Sequence, residues 1–370
     1  MPRPKMCTGS KVTPARIASK VLTRNVFLVA GVDRYGRSVR RRKRFRRPAA
    51  IAGFWNRAEG VRGSLGIAAP AQYAVAQKSL ETSPHMQLGS LARWLKKDAT
   101  AWEGELFTVS TFGRGRDVLC LHGLAASPDT FEDAPEYLGG GVKLHLPHMR
   151  GFAGLAPSAF RDPMNFLKPA ADALAAYIRL NIGKPVPVMG HSMGGLVSLI
   201  LARDHADVVE RLMVVDVPAF FSVLITPFAT PTSMAHLAQH SRRTYFETPK
   251  PQLQDDLRRT TEKLVNSSSH AERIVKWGMA SDRRTTADVM AEVMVTDLRG
   301  DLQRIKAPVD VIYAWHKAAH PSRLALDQIY NSAYSGLVQG EKHRIDEAKH
   351  YVMFDQPVAF YEAVTRWLAK

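Results

Sequence analysis

The stretch Val186-Pro-Val-Met-Gly-His-Ser-Met-Gly-Gly195 constrains this chain more than any other. Val186 to Met189 reads as a buried strand, and Leu196 to Asp204 reads as the helix that leaves the turn. Between them stands G-x-S-x-G, with Gly190, Ser192 and Gly194 at the fixed positions. A strand, a serine framed by glycines and a helix are the parts of a nucleophile elbow. The chain folds back so tightly that positions 190 and 194 have no room for side chains, so glycine is required. Ser192 is then pushed out at the tip, with a helix N-terminus behind it. The Met193 N–H faces outward there, where it can meet a developing oxyanion.

Around the elbow, short apolar runs alternate with helical segments. The strands expected are Glu105–Phe112, Asp117–Leu121, Val142–Leu146, the elbow strand, Leu212–Val215, Val309–Ala314 and Lys342–Ile345. Gly113-Arg-Gly115 reads as a hairpin-like turn between the first two. Helices are expected at Pro128–Tyr137, Phe166–Leu180, Ser322–Tyr334 and Val358–Leu368. About seven strands alternating with helices make a mostly parallel sheet covered by helices, an α/β fold. The rhythm breaks over 217–305, where helix-like pieces such as Gln252–Val265 and Thr285–Val295 follow one another without strands. That span reads as a helical cap inserted into the sheet domain.

Charge divides the chain. Its net charge is +17, and residues 1–100 hold 21 Lys and Arg against 4 Asp and Glu, leaving 30 of each sign in residues 101–370. The basic excess therefore belongs to an arm, and a boundary is expected near residue 100. The densest run is Arg40-Arg-Arg-Lys-Arg-Phe-Arg-Arg47. It is open to several readings: a solvated, poorly ordered arm, a contact with nucleic acid or an anionic membrane, a targeting segment, or a twin-arginine export signal. The apolar run after Arg47 is short, which weakens the last. Met86 begins a stretch that continues smoothly into the following domain, so whether residues 1–85 belong to the working protein is open. No apolar run reaches the roughly 18 residues of a membrane span. A cytoplasmic location is favoured, with export left open. The two cysteines, Cys7 and Cys120, form a poor disulfide pair.

A serine hydroxyl needs a base within hydrogen-bond reach, and the base needs an orienting partner. His350 follows the last strand and precedes Asp355-Gln-Pro357 and the final helix, which suits the base. The second oxyanion N–H is expected from the loop after the first buried strand, where His122-Gly123 turns the backbone and Leu124 follows. His122 itself reads as a turn residue.

These pieces together resemble the α/β-hydrolase superfamily over about residues 105–369. The matching segments are Leu121-His-Gly123, Arg150-Gly-Phe-Ala-Gly154, Gly190-His-Ser-Met-Gly-Gly195, Asp216 after its strand, and His350 with Asp355-Gln-Pro357. Trp277-Gly-Met-Ala-Ser-Asp282 and Thr296-Asp-Leu-Arg299 look like one bacterial subgroup of esterase, cofactor-free haloperoxidase and C–C hydrolase type. The resemblance implies an α/β-hydrolase fold, a serine nucleophile, and no metal or organic cofactor. It also implies an acid right after Tyr313-Ala-Trp315, where this chain has His316. Three readings follow: Asp216 supplies the acid from the preceding strand, the site works as a Ser–His pair, or the protein has drifted towards binding.

The expected chemistry is cleavage of a carboxylic ester through an acyl-enzyme on Ser192, with His350 as base and Leu124 and Met193 as oxyanion donors. The partner is a small ester or acyl substrate, and Phe220, Phe221, Leu224 and Phe228 are candidates to face it. A C–C bond hydrolase or perhydrolase is the alternative on the same site. The alternative of another class is a weakened hydrolase-fold protein that binds nucleic acid or anionic surfaces through its arm.

Overall fold

A computed structural model of the protein describes residues 102–159 and 162–370. The basic arm, Met86 and Cys7 lie outside the described residues.

Eight strands form one sheet. They are β1 (Trp102–Glu103), β2 (Phe107–Gly113), β3 (Arg116–Leu121), β4 (Val142–Met149), β5 (Val186–His191), β6 (Val209–Val215), β7 (Val309–Trp315) and β8 (Lys342–Asp346). Their order is β1-β2-β4-β3-β5-β6-β7-β8. From β4 to β8 every pairing is parallel; β1 and β2 are antiparallel at one edge. β1 is the strand not expected from sequence, being only two residues long. The expected hairpin is corrected too: β2 pairs with β4, not with β3. Burial explains the swap. β2 alternates buried and half-buried positions, whereas β3 ends in four consecutive buried residues. A strand covered on both faces belongs in the middle of the sheet, and an alternating strand tolerates the edge.

Two apolar layers cover the sheet. One includes α2 (Leu167–Tyr177) and α3 (Met193–Asp204) and takes in Leu119, Leu121, Val188 and Val214. The other includes α10 (Pro357–Ala369) and takes in Val118, Cys120, Met189 and Met213. Successive residues of β3 thus feed opposite faces, as the two-residue period of a strand requires. The five-residue α1 is Ala134–Leu138. α8 (Arg323–Ala333) lies between β7 and β8, and the single-turn α9 (Val352–Asp355) leads into α10.

Between β6 and β7 the chain forms α4 (Pro231–Glu247), α5 (Lys250–Thr261), α6 (Ser268–Ala280) and α7 (Arg283–Val295). α4 packs on α7, and α5 on α6. Each start has a local cause. The Thr230 and Ser267 side chains cap α4 and α6, Pro251 opens α5, and Asp282 caps α7 through the Thr285 N–H.

The buried Glu292 of α7 ties this helical layer to the sheet domain. Its carboxylate accepts the Phe166 N–H at 2.7 Å and the Leu167 N–H at 3.0 Å, at the start of α2. Those are orphan donors of a helix N-terminus, so the carboxylate acts as a cap supplied from another element. Burial nonetheless outweighs the two hydrogen bonds and raises its pKa above the usual value of 4.5. The folded state therefore holds the Glu292 proton more readily than the unfolded chain, and this contribution to stability is lost as pH rises from 4.5 through the raised pKa. Thermal melts of the parent and Glu292→Gln between pH 4 and 7 should show the parent losing stability relative to the variant as pH rises. Glu292→Ala, which leaves both N–H groups unpaired, should lose about 1–3 kcal/mol.

Candidate active site

Ser192 sits between β5 and α3 with φ 56° and ψ −121°. Non-glycine residues rarely adopt a positive φ, and this turn holds one at its tip. The flanking glycines explain how. A Cβ on Gly194 would lie 2.5 Å from the Leu121 carbonyl oxygen, and one on Gly190 would lie 2.3 Å from the Gly194 carbonyl oxygen. β3, the elbow and the first turn of α3 are thus pressed together where no side chain fits.

Met193 is the first residue of α3, and Leu124 follows Gly123, whose hypothetical Cβ would lie 3.2 Å from the Ser192 Cβ. His122 holds this loop. Its Nδ1 donates to the Gly123 carbonyl at 2.8 Å and its Nε2 accepts the Met149 N–H at 3.1 Å. One nitrogen donating and the other accepting defines a neutral ring. Burial pushes its pKa down to about 3, in agreement. His122 therefore serves the backbone of the loop.

Asp216 follows β6 with φ 52° and meets His350 directly: His350 Nδ1 lies 2.8 Å from Asp216 Oδ2. The other oxygen, Oδ1, accepts the Ala314 N–H at 2.9 Å and the Tyr330 hydroxyl at 3.3 Å. The carboxylate is thereby fixed with one oxygen aimed at the imidazole. Both side chains are largely covered, at 13% and 24% exposure, so their attraction is less screened than at the surface. His316 turns elsewhere. Its Nδ1 accepts the Ala318 N–H at 3.1 Å, and its carbonyl accepts from Ala319 and His320. β6 and β7 are adjacent and parallel, so an acid at either C-terminal end falls within reach of one histidine. Of the three readings opened by His316, the geometry matches the one in which Asp216 faces His350.

The histidine loop is tied down at both sides. His191, inside the elbow, donates from Nε2 to the His350 carbonyl at 3.0 Å. Burial holds the His191 pKa well below its ordinary value. Asp355 accepts the Lys349 N–H on one oxygen and the Asn266 N–H on the other, each at 2.8 Å. Asn266 follows α5, so Asp355 joins the histidine loop to the helical layer. The Tyr351 N–H reinforces this with a bond to the Leu264 carbonyl at 3.0 Å.

A cavity of about 230 Å³ opens above Ser192, Asp216 and His350 beneath the helices. Phe221 and Leu224 line it as expected, but two other candidates do not. Phe220 is fully buried with the Arg299 guanidinium over its ring, and Phe228 is 90% exposed. Sequence reasoning missed Tyr245, Thr260 and His320, which also line the cavity. His320 follows His316 by one turn of chain. Its pKa is lowered by burial and by His350, against an opposing pull from Asp216. No spacing rule points to these residues, because packing of the inserted helices and the β7 loop brings them in.

Far from this cavity, at the N-terminal ends of β7 and β8, Asp310, Glu341 and His343 bring possible ligand atoms within 4.8 Å of one another. The Lys370 ammonium already sits there, 2.8 Å from Asp310 and 3.1 Å from Glu341. An ion pair accounts for the cluster. No helix among the described residues is long and apolar enough to cross a membrane.

A mostly parallel sheet covered on both faces, with a serine elbow at the C-terminal end of a central strand, defines a class of hydrolytic enzymes. The family model described as the alpha/beta hydrolase family matches residues 118–363, and the chain belongs to that family. It is 35% identical over 107 residues to a pimeloyl-[acyl-carrier protein] methyl ester esterase of Chromobacterium violaceum, covering 29% of this chain and 39% of that protein. It is 25% identical over 226 residues to the esterase of the same description from Nitrosomonas europaea, covering 59% and 83%. Its fold matches a hydrolase from Pseudomonas aeruginosa PA01 with a TM-score of 0.59 at 17% identity, covering 74% of this chain and 98% of that one.

The Asp216–His350 contact makes two variants informative. Asp216→Asn should keep the fold and lower kcat by a factor on the order of 10⁴, through loss of the charge that orients the imidazole. His316→Asp should give no comparable gain, since its side chain faces its own loop. Both are read by ester hydrolysis beside the parent.

Proposed function

We propose that this protein cleaves a carboxylic ester through an acyl-enzyme on Ser192. The observation that carries this reading is the 2.8 Å contact between His350 Nδ1 and Asp216 at the foot of the cavity that Ser192 also lines. The esterase description of the relatives supports the same chemistry.

In this reading Asp216 keeps the proton on His350 Nδ1, which leaves Nε2 as the base. Nε2 takes the Ser192 proton while Oγ attacks the acyl carbon. The carbonyl oxygen, now negative, is held by the N–H groups of Met193 and Leu124. Among the described residues neither N–H has another hydrogen-bond acceptor, which suits a site waiting for an oxyanion. The imidazolium returns its proton to the leaving alkoxide. Water, deprotonated by the same nitrogen, then frees the acid and restores Ser192. No step calls on a metal or an organic cofactor. The four helices over 217–305 act as the cap that covers the substrate, and low exposure to water strengthens each charge interaction beneath them.

Hydrolysis of p-nitrophenyl acetate and butyrate should be abolished to near background in Ser192→Ala. The parent, but not the variant, should be labelled by a fluorophosphonate probe. A parent that neither labels nor turns over any short ester would remove this reading.

A further inference from the structure

The cavity is mostly apolar, and one buried polar group in its wall has no evident task in bond cleavage. Tyr245 of α4 is 3% exposed and lines the cavity. The Thr286 side chain of α7 stands beside its hydroxyl, and the Thr286 hydroxyl, buried in the same cavity wall, has no hydrogen-bond partner among the described residues. α4 and α7 pack on each other, so both groups ride on a rigid pair of helices. A buried hydroxyl ordinarily finds a partner, and one without costs free energy until a partner arrives, so the Tyr245–Thr286 pair is short of one polar contact.

The surroundings say what that partner would be. Burial pushes the Tyr245 pKa up to about 12, so at neutral pH the hydroxyl carries its proton and can donate. Thr286 can satisfy the phenol oxygen as an acceptor, which leaves the phenol O–H to point at something else. The Arg283 guanidinium, nearby, donates to the Tyr245 and Thr248 backbone carbonyls. Its charge favours an electron-rich atom beside the ring, yet it does not line the cavity. The chemistry required is an acceptor oxygen carried on an otherwise apolar chain.

Position decides which part of the substrate carries it. Tyr245 packs in a small apolar cluster with Met290 and Leu124, on the oxyanion side of Ser192. His350 must stand beside the leaving oxygen to protonate it, and Lys349 and Tyr351 line the cavity on that side. An acyl chain directed away from His350 would pass towards Leu124 and Tyr245.

We propose that Tyr245, backed by Thr286, is a specificity residue that selects esters whose acyl chain carries an uncharged acceptor oxygen, such as a keto or ether group, some carbons from the scissile carbonyl. This inference rests on the ester-hydrolase reading of Ser192 and His350.

The test uses p-nitrophenyl esters of pentanoate, hexanoate, 4-oxopentanoate and 5-oxohexanoate with the full chain and with Tyr245→Phe. At one of the two oxo positions the parent should favour the oxo ester over its plain counterpart by about five- to tenfold in kcat/KM, the worth of one hydrogen bond. Tyr245→Phe should bring that ratio to near one. Thr286→Val should lower the ratio part of the way. An oxo preference unchanged in Tyr245→Phe, or a parent that prefers the plain ester at both positions, would overturn the assignment. Loss of plain-ester hydrolysis in Ser192→Ala is read separately, so failure of the specificity proposal and failure of the hydrolase reading give different results.

Discussion

The close approach of β3, the elbow and α3 is the constraint on which the site depends. Gly194 lies against the Leu121 and His122 carbonyls, and Gly190 against the Gly194 carbonyl. Any side chain at these two positions would push the first turn of α3 away from β3. That displacement would shift the half-buried Ser192 at the start of the helix. Steric exclusion, not attraction, therefore sets the geometry in which β3, Ser192 and the helix terminus meet.

The remaining contacts hold a histidine loop over that fixed point. His191 reaches from the elbow to the His350 carbonyl, and Asp355 bonds the loop to the connection between α5 and α6. Asp216 supplies the third hold on the imidazole itself. Each comes from a different element, so the position of His350 is determined several times over. Glu292 performs the matching task for the helical layer by capping α2. The cavity walls are thus fixed to the sheet domain at its two sides.

Asp216 shows how one fold accommodates a change of residue at the expected acid position. β6 and β7 run parallel and adjacent, and the ends of both lie under His350. With His316 after β7, the carboxylate at the end of β6 meets the imidazole, steadied by the Ala314 N–H and Tyr330. His316 instead closes the turn that carries His320 to the cavity. The arrangement leaves the His350 imidazole with a carboxylate partner while altering the wall next to it.

Much of this was legible in the chain itself. Alternation of apolar runs and helical segments determined a mostly parallel α/β sheet, because a strand buried on both faces must be apolar throughout and parallel strands need crossovers. The glycine-framed Ser192 and the late His350 were legible because close packing and loop position leave marks on local sequence. The order β2-β4-β3 was not, since a glycine turn reads as a hairpin until the burial of each strand is known. Nor was the pairing of Asp216 with His350, which lie 134 residues apart and meet only once β6 and β8 have taken their places in the sheet. The cavity wall was decided last of all. Tyr245, Thr260 and His320 carry no local signature, while Phe220 and Phe228 looked suitable and face elsewhere. Local sequence fixes the conformations that sterics and periodicity dictate. Which side chains look into a cavity depends on how helices distant in sequence rotate against one another, and only tertiary packing sets that.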